Sequence, residues 1–168
     1  RELARREDLL AAAAWPLLEG ASGVVTISRS SAVAAAVEGA RGLGWRGTVT
    51  VLDGTAAGGG RDLADRLRAT GAVESLPDAF AAAALDSPDV VVLTGADAVC
   101  ESVFVNVSGT RLLLELARAR GRRTALVGAL CESALPHLKK SPAGRNRSGW
   151  SSGKTTGDGG VVQSTTGR

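Results

Sequence analysis

Short β-branched runs alternate with helical patterns of about ten residues along most of this chain, and that alternation limits the fold more than any other feature. Val24 to Ser28, Thr48 to Leu52, Val90 to Leu93 and Thr124 to Leu130 read as buried strands, with Ala72 to Leu76 and Val103 to Val107 as shorter extended candidates. Helical patterns lie between them. Ser30 or Ser31 can cap a helix opening at Ala32, and Arg61 to Thr70 places Leu63 and Leu67 four apart. Asp78 can cap a helix over Phe80 to Leu85, and Thr110 to Arg120 sets Leu112, Leu113 and Leu116 on one side. Glu2 to Leu18 is an amphipathic pattern limited near its end by Pro16. Strand, helix, strand in repetition demands βαβ units. The expected fold is therefore α/β, three layers, with a mostly parallel sheet flanked by helices. Ligands of such sheets bind beyond the carboxyl ends of the strands, where Ser28, Asp53 and Asp97 stand.

With 168 residues the chain suffices for one domain with its own core. Three segments are expected: an amino-terminal helix over 1–19, an α/β domain over 20–138, and a Gly/Ser/Thr-rich basic tail over 139–168. The tail has almost no apolar pattern, so disorder is expected there. The net charge of +3 conceals an asymmetry: residues 139–168 hold six basic side chains and one acid, leaving 14 basic and 16 acidic in the rest. A body of slightly negative charge with few aromatics (Trp15, Trp45, Phe80, Phe104, Trp150) does not read as a nucleic-acid binder. No apolar run reaches the length of a membrane span. Cys100 and Cys131 lack metal-ligand spacing and fit reduced thiols in a cytoplasmic protein. No cofactor and no metal are expected. The chain lacks Met and opens at Arg1, which suggests a preceding part of the protein.

Two motifs mislead. Gly42, Gly44 and Gly47 match G-x-G-x-x-G, but they follow a helix and precede a strand, the reverse of a dinucleotide site. Gly153-Lys154-Thr155 ends like a phosphate loop, yet that motif requires Gly at 148, and the residue is Ser148.

Three segments carry a resemblance. The first is Val24-Val25-Thr26-Ile27-Ser28-Arg29-Ser30-Ser31-Ala32. The second is Val49-Thr50-Val51-Leu52-Asp53, followed by Gly60-Arg61 opening a helix. The third is Val90 to Leu93 running into Thr94-Gly95-Ala96-Asp97, then Val105-Asn106-Val107-Ser108-Gly109-Thr110. Over about Gly20 to Pro136 they resemble the initiation-factor-2B-like family, which includes methylthioribose-1-phosphate and ribose-1,5-bisphosphate isomerases. The resemblance implies a Rossmann-like domain of the sugar-phosphate isomerase/CoA-transferase type, with the helix over 1–19 as the remnant of a helical domain. It implies a site built from Ser28, Arg29, Ser30, Asp53, Gly95, Asp97, Asn106, Gly109 and Thr110. Its ligand would be a phosphorylated sugar or nucleotide, and homo-oligomerisation is implied too.

Aldose–ketose isomerisation needs a base and an acid on opposite sides of an enediol. In the isomerases a Cys and the Asp of Gly-Ala-Asp serve. Asp97 matches that Asp, Ser28 stands at the Cys position, Thr55 at a phosphate-binding Arg and Val107 at a Lys. One catalytic group of the expected four remains. A non-catalytic small-molecule-binding or regulatory domain is therefore expected; the alternative is an isomerase acting on a phosphorylated pentose. Asp97 and Asn106 also read as turn residues, Cys100 as a core residue, His137 as a surface residue, and Lys139-Lys140 as a solvated charge run. If the site reading holds, Ser28, Asp53, Asp97 and Asn106 gather on one sheet edge. Asp97 would lie half-buried at the floor, held by backbone N–H groups near Gly95 and Gly109.

Overall fold

A computed structural model describes residues 2–54, 58–99, 104–129, 155–156 and 160–165. Helix α1 (Glu2–Leu18) is followed by β1 (Gly23–Ile27), α2 (Ser31–Gly42), β2 (Thr48–Leu52), α3 (Gly59–Arg68) and β3 (Val73–Leu76). A 3-10 turn (Asp78–Phe80) runs into the single-turn α4 (Ala81–Ala84). Then come β4 (Val90–Ala96), a small antiparallel ribbon of β5 (Ala98–Val99) and β6 (Phe104–Val105), α5 (Thr110–Ala119) and β7 (Arg123–Ala129). The sheet order is β3-β2-β1-β4-β7, all parallel, continued by the antiparallel β9 (Gly160–Thr165) and β8 (Thr155–Thr156). The expected mostly parallel three-layer sheet is what the chain forms.

Alternation along the strands divides the core. Val24, Val49, Val51, Val91, Leu93 and Val127 pack beneath α1, α2 and α3 with Leu18, Val33, Val37, Leu63 and Leu67. Val25, Ile27, Leu52, Val90 and Val92 face α4 and α5 with Leu85, Leu113 and Ala117. Small residues let α1 cross α2 closely: a Cβ at Gly39 would collide with Ala11. Ser30 caps α2 as its sequence suggests, its Oγ accepting from the Val33 N–H at 3.2 Å. Gly42, Gly44 and Gly47 form the α2–β2 connection, with Gly44 at φ 108°. Among the described residues no helix is long and apolar enough to cross a membrane.

Arg41, buried in α2, ties three elements. Its guanidinium donates to the Leu67 carbonyl (2.7 Å), Thr70 Oγ1 (2.8 Å) and the Ala72 carbonyl (2.7 Å). Those bonds close the last turn of α3 and fix the entry to β3. Burial lowers the Arg41 pKa from its ordinary value, and the Glu38 carboxylate acts in the opposite direction. Arg41→Leu leaves buried carbonyls unpaired and is expected to cost about 2–4 kcal/mol in urea denaturation.

Two expectations change. Asp78 does not cap the following helix; no side chain caps α4, and the Asp78 carboxylate bonds elsewhere. The tail contains strands where disorder was expected: Gly160–Thr165 pairs residue for residue with Ala129 back to Thr124. The Val161-Val162 pair is enough apolar, β-branched sequence to extend an edge that is already formed. Ending the chain at residue 154 is then expected to lower the melting temperature and to release the β7 amides to hydrogen exchange. An unchanged melting temperature would mean that the sheet ends at β7.

Candidate functional site

Strand order runs outward from β1 in both directions, to β2 and β3 on one side and to β4 and β7 on the other. The connections therefore leave by opposite faces, and a crevice opens between the carboxyl ends of β1 and β4. Ser28 follows β1, Asp53 follows β2 and Asp97 follows β4. Because these strands are parallel, all three residues reach the same edge. Asn106 and Thr110 join them because α5 starts there: Asn106 Nδ2 donates to Thr110 Oγ1 at 3.1 Å, and Thr110 is buried. A Cβ on Gly109, the N-cap of α5, would lie 2.8 Å from Ile27 Cδ1, which places α5 against the end of β1. Gly95 is similarly constrained, since any side chain there would collide with Ser30.

Ser28 is the focus of this edge. It is the one non-glycine residue with positive φ among the described residues, at 61°. Its exposure is 9%, and its N–H donates to the Leu52 carbonyl at 2.8 Å. Oγ has no hydrogen-bond partner among the described residues and lies 2.8 Å from where a Cβ of Gly59, the first residue of α3, would stand. A polar residue held in the left-handed region costs about 1–3 kcal/mol and is a mark of functional sites. A Cβ on Gly54, itself at φ 79°, would collide with the Ser28 Cβ, so the two backbones approach closely.

The other residues are less confined. Asp53 and Ser30 are half-buried. Arg29 is exposed and pairs with Asp62 at 3.4 Å, an ion pair too solvated to contribute much stability. Asp97 is exposed and has no hydrogen-bond partner among the described residues, in place of the half-buried floor position expected for it. The bend that follows β4 carries its side chain outward. Thr55, Cys100, Cys131, His137, Lys139 and Lys140 lie outside the described residues, as does all of Gly149 to Thr155 but Thr155. Among the described residues no three metal-ligating side chains gather.

Sequence reasoning missed Asp78. Its Oδ1 accepts from the Gly54 N–H at 2.8 Å, which brings the segment after β3 to the same edge. The signal was present: β3 is parallel to β2, so the residue after its end obeys the same rule as Ser28 and Asp53. A Pro-Asp pair ahead of a helix reads first as a cap. An open groove of about 500 Å³ lies at the opposite edge, between Trp15, Glu19, Trp45 and Arg46. Its polar groups serve the fold: Trp45 Nε1 donates to the Ala21 carbonyl (2.9 Å) and Arg46 to the Arg41 and Trp45 carbonyls (2.8 and 2.9 Å).

Topology and rim define a doubly wound α/β domain with its crevice at the β1/β4 switch point. The chain belongs to the initiation factor 2 subunit family, whose sequence model matches residues 1–129. In structure it is similar to translation initiation factor eIF-2B of Pyrococcus horikoshii OT3, with a TM-score of 0.68 and 18% identity over 99% of this chain and 61% of that one. It is also similar to eIF2B delta from Chaetomium thermophilum (TM-score 0.63, 24% identity, 70% of this chain and 44% of that chain). A third likeness is to the tetrameric eIF2B-beta2-delta2 complex from C. thermophilum (TM-score 0.65, 25% identity, 76% and 40%). The chain thus spans less than two thirds of each of these relatives. No curated protein matches it significantly.

Ser28→Gly removes the strained side chain without disturbing the turn, so stability is expected to hold or rise by up to about 1 kcal/mol. Gly54→Ala combines a collision with an unfavourable φ and is expected to cost about 2 kcal/mol or more. Chemical denaturation of the two variants checks both. A destabilised Ser28→Gly would show that Ser28 serves the fold and not a ligand.

Proposed function

We propose that this chain is the α/β part of an initiation-factor-2B-related protein that binds a small polar molecule at the β1/β4 rim, without isomerase chemistry, as a regulatory unit. The observation that carries the reading is Ser28: buried, strained and unpaired among the described residues, at a position that the family resemblance matches to the isomerases' Cys. A site that retains strain around a hydroxyl is organised for contact with something. Proton transfer to and from an enediol needs more. A serine hydroxyl is too weakly acidic to carry that proton unless a base activates it, and Ser28 Oγ bonds to none among the described residues. The Asp97 carboxylate is exposed and has no hydrogen-bond partner among the described residues. Ser30, Arg29, Asp53, Gly95, Asn106, Gly109 and Thr110 complete the contact surface in this reading.

Self-association and a cytoplasmic setting form part of the same proposal. The beta and delta relative is a tetrameric complex. A helical layer as thin as α4 and α5, with Phe80 and Leu112 more than half exposed, suits burial against a further subunit.

The purified protein is expected to turn over neither ribose-1,5-bisphosphate nor methylthioribose-1-phosphate. Turnover that Asp97→Asn abolishes would replace this reading with that of an isomerase.

A further inference from the structure

Two left-handed residues meet at this rim. Ser28 has φ 61° and Gly54 has φ 79°, and they follow the adjacent parallel strands β1 and β2. The Ser28 N–H donates to the Leu52 carbonyl at 2.8 Å, which extends the β1–β2 ladder one residue past Ile27. A Cβ on Gly54 would collide with the Ser28 Cβ and stand 3.0 Å from the Ser28 Cα and backbone N. Packing this close leaves neither backbone room to shift toward the other.

The hold on Gly54 comes from the segment after β3. The Asp53 N–H donates to the Leu76 carbonyl at 3.2 Å, so β2 and β3 stay in register to their ends. Two residues further on, Asp78 Oδ1 accepts from the Gly54 N–H at 2.8 Å. The second oxygen of that carboxylate lies 3.8 Å from where a Cβ of Gly109 would stand, so one side chain borders the turns after β2 and before α5. Asp78 also opens the 3-10 turn that ends at Phe80, whose N–H donates to the Pro77 carbonyl at 2.9 Å. All three residues of that turn are exposed. Packing does little to fix such a turn, and the bond to Gly54 matters correspondingly more to its placement.

We propose that Asp78 is a positioning residue of the rim: through its bond to Gly54 it holds the left-handed turn at Ser28, so that the Ser28 hydroxyl and the Asp78–Phe80 turn change place together. The proposal deepens the ligand-binding reading above and rests on it for its functional meaning. A ligand that displaces Ser28 displaces Gly54, and with Gly54 a turn whose Phe80 is more than half exposed. A regulatory unit needs such a connection from its crevice to its surface, and here it runs through four residues: Ser28, Gly54, Asp78 and Phe80.

Ser28→Cys in the full chain reports on the turn, with alkylation by iodoacetamide read at residue 28 by peptide mass spectrometry so that Cys100 and Cys131 do not interfere. Slow alkylation is expected, because residue 28 is 9% exposed. Adding Asp78→Ala removes the acceptor and is expected to speed alkylation about fivefold or more. Adding Asp78→Asn keeps an acceptor for the Gly54 N–H and should stay within about twofold of Ser28→Cys alone. Hydrogen exchange of the Val25 amide, inside the β1 ladder, is followed in parallel: a role in general stability would raise it in step, and local positioning leaves it unchanged. If Asp78→Ala does not fold, the Gly54 amide of Ser28→Cys is followed before and after alkylation. The bulky adduct should release that amide to exchange, since the coupling is reciprocal. Equal alkylation rates with and without Asp78→Ala, or a Gly54 amide unmoved by the adduct, overturn the inference and leave the ligand-binding reading standing. An Asp78→Asn rate equal to that of Asp78→Ala overturns the bond as its basis. Alkylation at residue 28 as fast in the folded protein as in urea removes the confined site, and the ligand-binding reading falls with it.

Discussion

Hydrogen bonding of β1 to two parallel neighbours, β2 on one side and β4 on the other, is the constraint on which the other features depend. Val24 pairs with Val49 and with Val91, and Val25 with Thr50 and with Val92. A central strand buried on both faces must be largely apolar, which the Val-rich run satisfies apart from Thr26. Once both pairings exist, the chain has to leave by opposite faces on its two sides. The crevice between β1 and β4 is then a topological consequence, available before any particular side chain is placed there.

Side chains convert that crevice into a specific rim. The Gly54 and Gly59 backbones close over Ser28, Gly95 leaves room for Ser30, and Gly109 brings α5 onto Ile27. Two further hydroxyls, Thr26 in β1 and Thr94 in β4, are buried without partners, each at a cost of about 1–3 kcal/mol. Strain and unpaired polar groups thus collect in the two strands that flank the crevice. The opposite end shows another pattern, with Trp45, Arg46 and Arg41 bonded to carbonyls and closing the α2–β2 and α3–β3 connections. One end of the sheet is held by satisfied bonds, and the other carries stored strain.

Much of the site was legible because parallel strands give a strong rule. The residue after each buried run must reach the same edge, and Ser28, Asp53 and Asp97 were found by that rule alone. Asp78 escaped it because β3, with Val73 and Leu76 half-buried and Glu74 and Ser75 exposed, is a weak strand in sequence. Its neighbour Pro77 made a capping role the simpler local reading. The β9 strand escaped for a related reason. An edge strand needs few apolar residues of its own when its partner is already formed, so Val161-Val162 left little periodic signal.

By itself the sequence determined the α/β class, most of the element order, a serine cap at Ser30 or Ser31 and the residues that end the strands, because each depends on local periodicity or on a turn residue's own chemistry. The tertiary structure alone decided the rest. Ser28 takes its left-handed conformation where the Gly54 and Gly59 backbones of another βα unit leave no room for a side chain beside it. The outward position of Asp97 follows from the bend after β4. The bond from Gly54 to Asp78 joins residues 24 positions apart, and no local pattern encodes it. Periodicity records which face a residue prefers; which backbone group it meets depends on how the connections fold back over the sheet.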